Sequence, residues 1–191
     1  NPKLWDVVSP NLYRFCYTIR LDNGTVCDSG EVTFGIRSFS CDSLNGFRLN
    51  GRSLKLKGGC VHHDNGPLGA ASFDEAEERR VRLLKEAGYN AIRCAHNPPS
   101  PGFLDVCDRV GMLVIDEIFD NWQVAKNPHD YHIHFRDLWK EDLRSTVYRD
   151  YNHPSIVMWS IGYEVAERDG SSRGAEICRM LANYTRELDH T

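Results

Sequence analysis

The stretch D-Y-N-H-P-S-I-V-M-W-S-I-G-Y-E, Asp150 to Glu164, decides the fold. An apolar run, Ile156 to Trp159, leads into a small-residue turn that ends in a carboxylate. His153-Pro154 bars helix just before the run, because the residue preceding a proline is pushed to extended geometry. The run is short and opens on two β-branched residues, so it reads as a strand buried on both faces, the kind found in parallel sheets. Glu164 then sits just past the C-terminal end of that strand. In a barrel of parallel strands, chemistry gathers at that end.

Working outward, residues 1–43 read as β-structure. Leu12 to Leu21 alternates, with Tyr13, Phe15, Tyr17, Ile19 and Leu21 on one face, as a half-buried strand requires. Asp22-Asn23-Gly24 supplies a turn, and a second strand is expected across Gly30–Ser40. Such a pair is too small to stand alone. From Gly46 the pattern changes. Phe47-Arg48-Leu49 and Ser53–Lys57 flank Asn50-Gly51, a hairpin signal, and the second arm continues into a first buried strand at Gly58–Val61. Ser72, with Glu75 three residues on, predicts a capping box. Val81, Leu84 and Ala87 give a helical face closed by Gly88. Strand two falls on Asn90–Cys94, helix two on Pro101–Val110, strand three on Met112–Asp116, helix three on Leu138–Arg149, strand four on Ile156–Ser160 and helix four on Glu176–Leu188. Alternating strands and helices imply parallel βαβ units. A complete (β/α)8 barrel takes about 250 residues, so four units over residues 44–191 amount to the first half of a TIM barrel. A complete open sheet is the other arrangement of four units, but no dinucleotide fingerprint accompanies it.

Asp150–Glu164 resembles the acid/base signature of glycoside hydrolase family 2, which includes β-galactosidases and β-glucuronidases. Asn90–Glu117 (N-A-I-R-C-A-H-N-P-P-S-P-G-F-L-D-V-C-D-R-V-G-M-L-V-I-D-E) resembles that family's other signature. The resemblance extends over nearly the whole chain. It implies that residues 1–43 are the closing strands of an immunoglobulin-like β-sandwich, with Phe34-Gly35-Ile36-Arg37 at its exit, and that the barrel is catalytic.

Composition agrees with a globular protein and excludes some functions. Of 191 residues, 41% are hydrophobic and 26% charged, ordinary for a folded domain. A net charge of −4 with no basic stripe gives no footing for nucleic acid. No segment approaches the ~18 consecutive apolar residues of a membrane helix. Asn1-Pro2-Lys3 has no leader character and reads as the interior of a longer chain. Cysteines at 16, 27, 41, 60, 94, 107 and 178 are odd in number and form no C-x-x-C pair. Reduced, mostly buried thiols are therefore expected, which favours a cytoplasmic location.

Glycoside hydrolysis usually takes two carboxyl groups, one to protonate the departing oxygen and one to attack the anomeric carbon or activate water. The resemblance implies that Glu164 is the general acid/base of a retaining mechanism, with partial burial and a neighbouring carboxylate keeping it protonated near neutrality. Glu167, three residues on, reads as a plain surface glutamate. The family's nucleophile is a second glutamate on a later strand, so this chain alone is expected to be inactive. Asp116 and Glu117 end strand three and are the nearest candidates within the chain; the resemblance implies that the pair instead supports, shaping the pocket and its charge, with Asp116 on the substrate side. His63, after strand one, and His96, after strand two, share the strand-end position; imidazole can donate to and accept from sugar hydroxyls. The resemblance makes both sugar contacts, with Asp64 in support, while His62 reads as a solvated loop residue. Arg93 inside strand two needs an anionic partner. By resemblance that partner is the nucleophile, and within this chain it is Asp116 or Glu164. Trp122 offers a face for a pyranose or else packs in the core, and Trp159 reads as core.

Family β-galactosidases can hold Mg²⁺ through a Glu-x-His pattern after strand three. Here that stretch is Ile118-Phe119-Asp120-Asn121-Trp122, so no cofactor or metal is expected. Tyr163 is the departure from the family pattern, in which asparagine precedes the acid/base and binds the sugar's 2-hydroxyl; Tyr151 likewise replaces a common arginine. The reading is a piece of a retaining glycosidase acting on terminal β-galactosides. A β-glucuronidase specificity, or a non-hydrolytic carbohydrate-binding relative, is the alternative. Two open sheet edges make self-association a further expectation.

Overall fold

The computed structural model describes residues 1–170 and 172–191. Strands β1 (Leu12–Arg20) and β2 (Val26–Gly35) form an antiparallel hairpin, in register from Leu12 opposite Gly35. The expected second strand breaks at Gly35, where a β-carbon would collide with the Pro154 ring. Arg37 then turns the chain by donating to the carbonyls of Pro154 (3.1 Å) and Ile156 (2.7 Å). β3 (Phe39–Asp42) therefore leaves the hairpin and pairs with β4 (Gly46–Leu49), which pairs in turn with β5 (Arg52–Ser53). This sheet floors the molecule. Phe39, Phe47, Leu54 and Leu56 pack with buried Trp5, Leu49, Ala91, Leu113 and Val157. The β3–β4 pairing joins the two sides of residue 43.

Four parallel strands follow in chain order: β6 (Gly58–His62), β7 (Ala91–Ala95), β8 (Leu113–Glu117) and β9 (Ile156–Ser160). Each neighbours its predecessor and the order never reverses. An open doubly wound sheet would show such a reversal, so the four are the first half of a (β/α)8 barrel. Val61, Ile92, Cys94, Val114, Ile156 and Trp159 face outward and pack with Val81 of α1 (Asp74–Glu86) and Phe103, Leu104 and Cys107 of α2 (Pro101–Val110). A second cluster joins Ile118, Phe119 and Trp122 to Leu143 of α3 (His132–Asp150) and Leu181 of α4 (Gly174–Leu188). Leu104, Leu143 and Leu181 are fully buried, and each such side chain contributes about 1.5–3 kcal/mol of hydrophobic stabilisation. A register shift between Val114 and Ile115 gives β9 one extra residue, a bulge at the strand that leads to Glu164.

The helices differ from expectation where side chains chose other partners. α2 forms as predicted, with Ser100 accepting from the Phe103 N–H and left-handed Gly111 closing it. α1 lacks the capping box, because Ser72 donates instead to buried Glu77 (3.1 Å) and Phe73 takes the N-cap position. α3 starts at His132, not Leu138. Asp130 accepts from the His132 backbone and ring, and from the Lys126 and Asn127 N–H groups. Burial pushes the Asp130 carboxyl up, but these hydrogen bonds outweigh it and hold the group well below the usual carboxylate range. The thiols are also a correction. Only Cys94 and Cys107 are buried; the other five lie exposed, on the hairpin, the floor, the inner face of the half barrel and the outside of α4. Among the described residues no helix is long and apolar enough to cross a membrane.

Candidate active site

Strand parity sets the site. Outward residues of β7 and β8 are apolar or packed on helices, so Arg93 and Glu117 project inward. Glu117 is fully buried. Its Oε2 accepts from Arg93 Nη1 (2.8 Å) and Ser160 Oγ (2.7 Å), and its Oε1 lies 2.8 Å from His96 Nδ1. Arg93 Nη2 also donates to Cys60 Sγ (3.0 Å). The predicted partners of Arg93, Asp116 and Glu164, are thus replaced by Glu117. The far nitrogen of His96, Nε2, lies 3.7 Å from Glu164 Oε2. Arg93 lies under the Tyr163 ring, 4.2 Å from its centroid. His96, Glu117, Glu164, Arg93 and Tyr163 therefore meet at the C-terminal ends of β7, β8 and β9.

Glu164 is held there by the turn behind it. Gly162 takes φ +137, a conformation side chains rarely adopt. Trp122 Nε1 donates to the Ile161 carbonyl (2.8 Å), tying this turn to the loop after β8. Glu167, far from being a surface residue, is 2% exposed, and its Oε1 accepts from the Gln123 and Val124 N–H groups, both at 2.8 Å. It is a second tie between the two loops. Nothing in the sequence marked it except its place after the turn that carries Glu164. The Glu164 side chain itself is 54% exposed, so the burial expected around it does not come from this half of the ring.

Several predicted residues lie elsewhere. Asp116 is buried but faces the helices, beside Asp150, which Arg149 grips through two 2.6 Å bonds. Burial, and then the Asp150 charge, push the Asp116 carboxyl well up. It cannot reach a sugar in the barrel. Trp122 is 4% exposed within the outer core and offers no stacking face. His63 Nε2 is held at the Ala70 carbonyl (2.9 Å), and Asp64 closes a turn by accepting from the Gly66 N–H (2.9 Å). The histidine that meets His96 is His62, their rings 5.2 Å apart and edge-on. Trp159 packs outward, its Nε1 donating to Asp189.

The stretch after β8 does not fit a metal. Asp120 is engaged by Lys126 (2.7 Å), and buried Asn121 donates to Asp130 (2.6 Å). Among the described residues, one trio brings three ligand atoms within 4.8 Å: Asp105, Asp108 and His153. It lies before β9, at the other end of that strand from Glu164. The Asp108 carboxylate is already bonded there by His153 (2.6 Å) and the Ser155 N–H (3.1 Å).

Comparison with known proteins agrees with this architecture. Residues 43–191 match the family described as "Glycosyl hydrolases family 2, TIM barrel domain", and residues 1–37 match "Glycosyl hydrolases family 2". Beta-galactosidase BoGH2A of Bacteroides ovatus is 44% identical over 190 residues, all of this chain and 22% of that protein. A putative beta-glucuronidase of Formosa agariphila is 45% identical over 164 residues, 85% of this chain and 16% of that protein. Among solved structures, a glycosyl hydrolase family 2 member from Bacteroides cellulosilyticus superposes with TM-score 0.94 at 50% identity, over 98% of this chain and 24% of that one. Bacteroides uniformis beta-glucuronidase 2, covalently bound to cyclophellitol-6-carboxylate aziridine, superposes with TM-score 0.86 at 33% identity, over all of this chain and 24% of that one. The chain thus spans about a quarter or less of the length of these relatives.

Proposed function

The chain belongs to glycosyl hydrolase family 2, and from that premise we propose that it supplies the acid/base half of a retaining β-galactosidase. The observation that carries this reading is the 3.7 Å approach of Glu164 to His96, at the strand ends where a barrel enzyme does its chemistry. Glu164 protonates the departing oxygen and then deprotonates water. A glutamate from a later strand of the longer protein attacks the anomeric carbon, with Arg93 as a supporting cation. His96, His62 and Tyr163 line the sugar side. In this reading residues 1–43 end a β-sandwich and residues 44–191 begin the catalytic barrel, acting in the cytoplasm.

A galactoside is favoured over a glucuronide on charge. A C6 carboxylate calls for a free cation, and Arg93, inside the mouth, is already paired with Glu117. The test uses the full-length protein. Glu164→Gln should abolish turnover of a galactoside with a poor leaving group and spare the first step on an activated nitrophenyl β-galactoside. The first-formed sugar should keep its β configuration by proton NMR. Equal activity of wild type and variant on the poor leaving group would remove the assignment; preference for the nitrophenyl glucuronide would move the specificity. Galactose binding by calorimetry without turnover would favour the carbohydrate-binding alternative.

A further inference from the structure

The Glu117 carboxylate is shared unevenly. Arg93 from β7 and Ser160 from β9 both donate to Oε2, which among the described residues leaves Oε1 to His96. An ionised carboxylate only accepts, so His96 Nδ1 must carry a proton to bond it. Arg93 already supplies the positive charge that balances Glu117, so the contact needs no second cation. A neutral ring with Nδ1–H has a bare Nε2. That nitrogen lies 3.7 Å from Glu164 Oε2, beyond a hydrogen bond, which leaves its lone pair open to a donor that comes in beside the two. The groups facing His96 are Glu117 from β8, Glu164 from the loop after β9 and His62 from β6.

Resting on the acid/base reading of Glu164, we propose that Glu117 is the positioning residue of the site. It fixes His96 in the Nδ1–H tautomer, so that Nε2 accepts a hydrogen bond from a sugar hydroxyl lying against the acid. Glu117 touches no substrate and acts only through the ring. The site therefore selects glycosides carrying a hydroxyl donor at that position.

The test uses the full-length protein labelled with 15N-histidine, the His96 signal being assigned by its loss in His96→Asn. At neutral pH wild type should show a protonated Nδ1 and a bare Nε2. Glu117→Gln should mix the tautomers and lower kcat at least about tenfold, the lower end of what loss of a histidine's orienting hydrogen-bond partner costs. Ser160→Ala, which leaves the Oε1 contact in place, should keep the tautomer. An Nε2–H or doubly protonated ring in wild type would overturn the proposal, as would unchanged kcat in Glu117→Gln. Should Glu117→Gln fail to fold, the wild-type spectrum decides alone. Loss of turnover in Glu164→Gln beside an unaffected Glu117→Gln would sink this inference and keep the acid/base reading; an unaffected Glu164→Gln would sink both.

Discussion

At position 116 the fold buries a carboxyl beside the carboxylate of Asp150, where among the described residues no donor reaches it. Its pKa is raised first by burial and then by Asp150. The folded state therefore holds a proton that the unfolded chain releases near pH 4. Stability from this group is fully present below that unfolded value and is lost as pH rises through the raised folded value. Asp116→Asn removes the titration, and its amide can donate to Asp150. Urea denaturation should show a gain on the order of 1–2 kcal/mol at neutral pH and a flatter dependence on pH above the unfolded carboxylate range. A loss of stability at pH 8 would mean that the carboxyl is ionised and paired. The sequence showed that Asp116 and Glu117 end a strand but not which one faces inward. A parallel strand buried on both faces has no polar alternation to read, and a shift of one residue reverses every side chain. The same ambiguity hid which of His62 and His63 meets His96. Tyr163, by contrast, was legible as a departure because the family resemblance places asparagine at that position. Its ring covers Arg93 at 57% exposure. In the full-length enzyme Tyr163→Asn should raise kcat/KM by about three- to tenfold, or roughly 0.7–1.4 kcal/mol. A fall would show that the ring over the guanidinium is itself a sugar-binding surface.

At the scale of elements, the turn from β9 to Glu164 is over-determined. A β-carbon on Gly162 would lie 2.9 Å from Trp122 Nε1 and 3.0 Å from Val165 Cγ1, at a φ of +137. Gly162→Ala must therefore strain the backbone or break the Trp122–Ile161 bond, at a cost of roughly 1–3 kcal/mol. Because Glu164 follows two residues later, kcat should fall by about 10²-fold, the effect of an ångström of misplacement. Denaturation and initial rates on the same preparation check both; a stable variant with full activity would show that the turn can relax without moving the acid. Helix α2 and strand β9 were readable to the residue because Ser100, Pro101, Gly111 and Pro154 act locally on the backbone. The start of α3 was not readable. Asp130 organises it by gathering Asn121, Lys126, Asn127 and His132 from both sides, a nest no linear spacing announces.

At the scale of the whole molecule, these four strands bring Glu164 to the barrel mouth for its proposed acid/base role. A retaining mechanism sets two carboxyls ~5–5.5 Å apart. Near Glu164 the candidate for the second is Glu117, yet it is fully buried and engaged by Arg93, His96 and Ser160. A carboxylate so held cannot advance on an anomeric carbon without breaking an ion pair and leaving Arg93 uncompensated, which costs several kcal/mol. The half ring also leaves Met158 about half exposed on its inner face. At its two edges lie cavities of about 270 Å³ beside β9 and 830 Å³ beside β6. Unpaired strand edges next to apolar hollows favour association. The 191-residue chain expressed alone should therefore show no hydrolysis of nitrophenyl β-galactoside, and its sedimentation coefficient should rise with concentration. Turnover by the isolated chain that disappears in both Glu117→Gln and Glu164→Gln would make Glu117 the nucleophile, and the division of labour between the two halves of the barrel would have to be redrawn.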